Sequence, residues 1–144
     1  MPKIDFLNAD LELIYDEEPN RLLRELKRKV IVLYSGSDPR GHLVALELNC
    51  YFKDPLKMMN RWVKLLNSLS VPARRELRAA RSMVFDLGFD VDNSQRPDRI
   101  ELPAPLLSAV AKLGAGYIVT LYNVEKTTTP GLVPAKQRQR VSQK

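Results

Sequence analysis

"KLGAGYIVTLYN", residues 112–123, decides how this chain folds. A lysine and a leucine close a helical pattern, two glycines follow within three positions, and a run of strand character begins at once. Glycine enters the left-handed backbone region without steric cost, so Gly114 is expected to end a helix and Gly116 to keep the exit of the turn clear. The chain then reverses directly into a strand. Tyr117, Val119 and Leu121 alternate with Ile118, Thr120 and Tyr122, and both sets are largely apolar, the pattern of a strand covered on both faces. We therefore expect this strand inside the sheet and not at its edge.

Upstream, Pro105 opens a short helix carrying Leu106, Leu107, Val110 and Leu113, preceded by the loop "SQRPDR". "MVFDLGFDVDN" before it alternates as a strand, with Met83, Phe85, Leu87, Phe89 and Val91 inward and Asp86, Asp90 and Asp92 on a solvated face. Two capped helices come earlier. Asp54 and Pro55 begin one whose apolar half holds Met58, Met59, Trp62, Leu65 and Leu66, and Ser70 and Pro72 begin "VPARRELRAAR". "VIVLY" and "HLVALELNCYF" read as strands joined by "SGSDPRG", with Cys50 a buried thiol on the second. At the start, "FLNADLELIYD" alternates as a half-buried strand with Leu7, Ala9, Leu11, Leu13 and Tyr15 on one face. A helix after Pro19 gathers Leu22, Leu23, Leu26 and Val30 on one side. The expected fold class is α+β: a single domain over residues 1–125, with a mostly antiparallel sheet of about five strands, three to four helices packed on it, and a flexible basic tail over residues 126–144.

The segments "MNRWVKLLNSL" and "RIELPAPLLSAVAKLGAGYIVTLYN" resemble the bacterial domain-of-unknown-function 4279 family through Ile100, Leu102, Leu106, Leu107, Leu113, Gly114, Ala115 and Tyr122. "ADLELIYDEEPNRLLREL" is similar to that family's first strand and helix. The resemblance implies an α+β fold with a mostly antiparallel sheet. It implies no activity.

Catalytic chemistry is poorly supplied. His42, the single histidine, falls in the turn "DPRGH", where a solvated loop residue is expected and no neighbouring group orients the ring for acid or base work. One cysteine excludes an internal disulfide and a multi-thiolate zinc site. "DLGFDVDN" lacks the EF-hand loop, and "GSDPRG" lacks the Lys-Ser/Thr ending of a phosphate loop. We expect no catalytic residue, no metal and no cofactor. "VIVLY" falls far short of the ~20 apolar residues of a spanning helix, and the acidic start "MPKIDFLNAD" is unlike a secretory leader, so a cytoplasmic protein is expected.

The formal charge of +6 concentrates at one end. Lys126, Lys136, Arg138, Arg140 and Lys144 account for five of the 23 basic residues, and taking them away leaves 18 against 17 acidic ones, so residues 1–125 are nearly neutral. Within that part, helical spacing sets Arg21, Arg24 and Arg28 in one stripe and Arg74, Arg78 and Arg81 in another, with Glu25 and Glu76 close enough to neutralise part of each. These six arginines, with Lys136, Arg138 and Arg140, are the candidate partner-binding residues, since guanidinium groups grip carboxylates and phosphates in pairs of hydrogen bonds. The neutral domain favours another protein as partner, in an immunity-like masking or adaptor role. The alternative is nucleic acid, bound by the tail and the arginine stripes.

Overall fold

The computed structural model describes residues 4–92 and 99–123. The elements are β1 (Asp5–Tyr15), α1 (Asn20–Leu26), β2 (Val30–Asp38), β3 (Gly41–Leu48), α2 (Pro55–Asn67), α3 (Val71–Arg78), β4 (Ser82–Val91), α4 (Ala104–Leu113) and β5 (Gly116–Asn123). The five strands form one sheet in the order β2-β3-β1-β4-β5. Every neighbouring pair is antiparallel except β4 and β5. A parallel neighbour requires a crossover, and α4 supplies it. The architecture is α+β. The tail over residues 126–144, with Lys136, Arg138 and Arg140, and nearly all of the loop "SQRPDR" lie outside the described residues.

One apolar cluster unites the four helices with a single face of the sheet. Leu11, Leu13, Val44, Leu46, Phe85 and Leu87 meet Leu22 and Leu26 of α1, Met58, Met59, Trp62 and Leu66 of α2, Leu77 of α3, and Leu106 and Val110 of α4. Trp62 is fully buried; its Nε1 donates to the Ala9 carbonyl at 2.9 Å, and its ring lies 5.9 Å from that of Phe85. An indole is well placed in a core only when its N–H finds an acceptor, and here the backbone provides one. Asp54 and Ser70 cap α2 and α3, accepting from Leu56 N at 2.9 Å and Ala73 N at 3.3 Å. Gly114 has φ 84°, and the Gly114 and Ala115 amides donate back to Ala111 and Val110. This pair of bonds is the Schellman closure that a left-handed residue permits.

Several expectations are corrected. β5 stands at an edge of the sheet and not inside it. The first helix ends at Leu26, so Val30 begins β2 and Arg28 sits in the turn between them. β3 stops at Leu48, and the chain bends through Asn49 and Cys50, which leaves Cys50 exposed and not buried. A register shift between Phe6 and Asn8 turns Phe6, not Leu7, onto the core face opposite Phe89. On the other face, Asn8, Asp10 and Asp86 are buried rather than solvated. Asp86 accepts from the Thr120 hydroxyl at 2.6 Å, and Asn8 donates to Glu47.

The hairpin between β2 and β3 is tighter than "SGSDPRG" suggests, because Asp38 pairs with Gly41 and only Pro39 and Arg40 lie between. Asp38 accepts from the Arg40 amide at 2.9 Å. Gly41 has φ 140°, and a Cβ there would lie 2.5 Å from the Tyr15 carbonyl oxygen, so no larger residue fits.

Candidate functional site: a basic cleft between two helices

The arginine stripes survive only in part. Helix α3 ends at Arg78, and Arg81 lies beyond it, where its Nε is 3.0 Å from Asp16 and its Nη2 donates to the Arg40 carbonyl. Arg81 therefore braces the start of β4 against the β2–β3 turn. Arg28 leaves the α1 stripe because the helix ends before it. Arg21 and Arg24 are exposed on α1.

The two glutamates expected to neutralise the stripes are engaged in joining α1 to α3. Glu25 accepts from the Ser70 amide at 2.7 Å and from the Ser70 hydroxyl at 2.6 Å. These hydrogen bonds, from the side chain first and then the amide, hold the Glu25 carboxyl below its ordinary range, since they favour the charged form. Glu76 Oε2 accepts from the Leu22 amide at 2.5 Å, at the start of a helix whose own N-cap residue, Pro19, makes no side-chain cap bond. The Tyr15 hydroxyl donates to the Glu76 carbonyl at 3.1 Å. Burial pushes the Tyr15 phenol far up, and the Glu76 carboxylate adds to it. The acids that local sequence places beside the arginines are thus drawn into helix–helix contacts.

At about 100° per residue, Ala73 and Leu77 mark the buried line of α3, with Glu76 on the flank toward α1 and Arg74 and Arg78 on the other flank. That second flank faces α4. Between them lies a cleft of about 580 Å³, lined by Arg74, Arg78 and Lys112 over the apolar side chains Leu66, Leu77 and Leu113. Asn67 and Ser108 add polar groups, and among the described residues no acidic one borders it. Arg21 and Arg24 are not among its walls, so the two stripes do not converge there. Sequence reasoning found Arg74 and Arg78 but missed Lys112, whose membership depends on α4 returning across the helix layer. A signal existed: Lys112 lies on the opposite side of α4 from the inward Leu106 and Val110 line, on the flank shared with Pro105 and Ala109.

A second hollow, of about 790 Å³, lies where β1 begins and β4 ends. Among the described residues it mixes Asp5, Asp54, Asp90 and Glu101 with Lys53 and Arg99.

His42 is half-buried at the start of β3 and not a solvated turn residue. Its Nε2 lies 2.9 Å from the Ser35 hydroxyl, which is also 3.3 Å from Glu18 Oε1. In a nucleophile–base–acid relay the carboxylate orients the far ring nitrogen. Here it reaches the serine, so this trio lacks that order. Among the described residues, no group of three or more His, Cys, Asp or Glu is placed to hold a metal ion, and no helix is long and apolar enough to cross a membrane.

The chain matches no protein-family model, and neither curated proteins nor solved structures provide a match. The likeness to the domain-of-unknown-function 4279 family rests on the quoted core and cap residues alone.

Proposed function

We propose that this chain is a non-catalytic binding domain whose partner is another protein, in an immunity-like masking or adaptor role, and that the α3–α4 cleft receives a carboxylate-bearing segment of that partner. The observation that supports this reading most is the cleft's make-up: among the described residues, Arg74, Arg78 and Lys112 stand above an apolar floor without an acid on the rim. Guanidinium groups bind carboxylates in paired hydrogen bonds, and an apolar floor rewards a side chain rather than a bare phosphate. A nucleic-acid backbone asks for an extended run of cations. Arg28 and Arg81, which would have lengthened the two stripes, stand elsewhere.

Fluorescence anisotropy tests the reading with the full chain and a labelled oligoglutamate peptide carrying a leucine at its centre. Each charged hydrogen bond lost is worth about 1.5–3 kcal/mol, or roughly tenfold or more in affinity. Arg74→Ala with Arg78→Ala is therefore expected to weaken peptide binding at least tenfold, and Arg21→Ala with Arg24→Ala to leave it unchanged. Tighter binding of duplex DNA or RNA than of the peptide, falling steeply with salt, would favour the nucleic-acid alternative.

A further inference from the structure

β5 is built like an interior strand and stands at an edge. From Gly116 to Asn123 it contains no charged residue and no proline, and its pairing with β4 runs without a register shift from Val84 and Gly116 to Val91 and Asn123. Exposed strand edges are ordinarily guarded by charges, prolines or bulges, and β5 has none of these. Ile118 on one face is 42% exposed, while Val119 and Leu121 on the other are 53% and 59% exposed.

The opposite edge shows the contrast. β2 carries a register shift between Val32 and Tyr34, runs into Ser35, Gly36, Ser37 and Asp38, and folds the Tyr34 hydroxyl back onto the Ser37 carbonyl at 2.7 Å. One edge is guarded. The other is open.

Helix α4 carries a further exposed apolar flank. Its Lys112 flank borders the basic cleft, so at about 100° per residue Leu107 and Ala111 fall on the flank away from α2 and α3. Leu107 is 43% exposed there. Val119 and Leu121 therefore flank an outer edge with which no other described strand pairs; from Gly116 to Leu121, at about 3.3 Å per residue, it is roughly 20 Å long.

We propose that β5 pairs antiparallel with β5 of a second copy of this chain about a two-fold axis, with α4 beside its counterpart, making one continuous ten-stranded sheet. A two-fold interface sets a patch against itself, so any charge on it would meet its own kind, and an uncharged strand is compatible with that arrangement. The outer backbone donors and acceptors of β5 are then paired, because the strand becomes interior in the dimer. Residues 124–144 are a poorer occupant: Pro130 and Pro134 remove donors that a paired strand needs, and the segment carries five bases toward an apolar edge.

The test is light scattering with size-exclusion chromatography on the full chain at tens of micromolar. The expected mass is twice 16.4 kDa. Val119→Lys with Leu121→Lys is expected to give the monomer with an unchanged melting temperature, and Val32→Lys on the β2 edge to leave the dimer intact. Hydrogen exchange on the unmodified chain supplies a readout that needs no variant: β5 amides should be protected in concentrated samples and exchange faster on dilution, while β1 amides do not respond. A monomeric unmodified chain, an assembly larger than a dimer, a dimer that survives both β5 lysines, or β5 protection independent of concentration overturns the proposal. This pairing is independent of the basic cleft, and neither result decides the other.

Discussion

Replacing Gly114 with alanine isolates the backbone cost of the turn that joins α4 to β5. At φ 84° an L-residue with a Cβ pays about 1–2 kcal/mol relative to glycine. A Cβ built there meets no atom within 4 Å, so neither a clash nor a packing gain adds to that cost. The unfolded chain loses freedom on the same substitution, which returns about 0.4–1 kcal/mol to the folded state. Gly114→Ala should therefore destabilise by about 1 kcal/mol and Gly114→Val by about 2, since a β-branched residue is worse in the left-handed region. Gly116 is the internal control. Its φ is not positive, and a Cβ would touch Val84 Cγ1 at 3.9 Å, an ordinary contact, so Gly116→Ala should be neutral or slightly stabilising. Urea denaturation followed by circular dichroism measures all three. With a slope of about 1–3 kcal/mol per molar urea, the Gly114→Ala midpoint should fall by roughly half a molar. Equal midpoints for the Gly114→Ala and unmodified chains, or an equal loss at Gly116, would refute the left-handed closure as the reason for "LGAG".

Glu76→Ala should cost about 1.5–3 kcal/mol, because it strips the Leu22 amide of a charged acceptor at the start of an otherwise uncapped helix, whereas Glu76→Gln should recover part of that in the same urea assay. The Tyr117 hydroxyl is buried without a hydrogen-bond partner among the described residues, and burial raises its pKa, so Tyr117→Phe should hold or raise stability by up to about 1 kcal/mol; a clear loss would mean that the hydroxyl is satisfied. Acid should weaken the α1–α3 junction: the Glu25 pKa is lowered in the folded state, so its contribution is complete above the ordinary glutamate pKa of 4.5 and disappears as pH falls through the lower folded value. Melting temperatures measured across this acid range should fall less steeply for Glu25→Gln than for the unmodified chain, and parallel curves would remove Glu25 from the account.

Helix and strand identity was legible in the sequence because period and caps are local. Asp54, Ser70 and Gly114 mark the ends they were expected to mark, and the apolar half of α2 is the half that is buried. Neighbour relations were not legible. Both faces of β5 read as covered, yet alternation reports which side chains prefer to leave water and not which chain covers them. The strand order follows from the α4 crossover, which places β5 outside β4. Asp10 and Asp86 pair across β1 and β4, and register, which local pattern leaves open, is what brings them together and buries them.

The candidate site divides the same way. Arg74 and Arg78 were found because they share a helix, but the ends of α1 and α3 removed Arg28 and Arg81, each one turn or less beyond the last helical residue. Lys112 joins them from 34 positions further along than Arg78, through packing of α4 that no short window contains. Glu25 and Glu76 looked like local counter-charges and proved to be long-range acceptors, for Ser70 and Leu22.

The central claim is that the α3–α4 cleft takes carboxylates from a protein, and amide and arginine-side-chain NMR shifts of the full chain measure it most directly. Titration with the leucine-centred oligoglutamate peptide should move the signals of Arg74, Arg78, Lys112 and Leu113, leave Arg21 and Arg24 in place, and lose these shifts in the Arg74→Ala, Arg78→Ala variant. Shifts spread over Arg21, Arg24 and the basic residues 126–144, stronger with duplex DNA than with the peptide, would contradict the account.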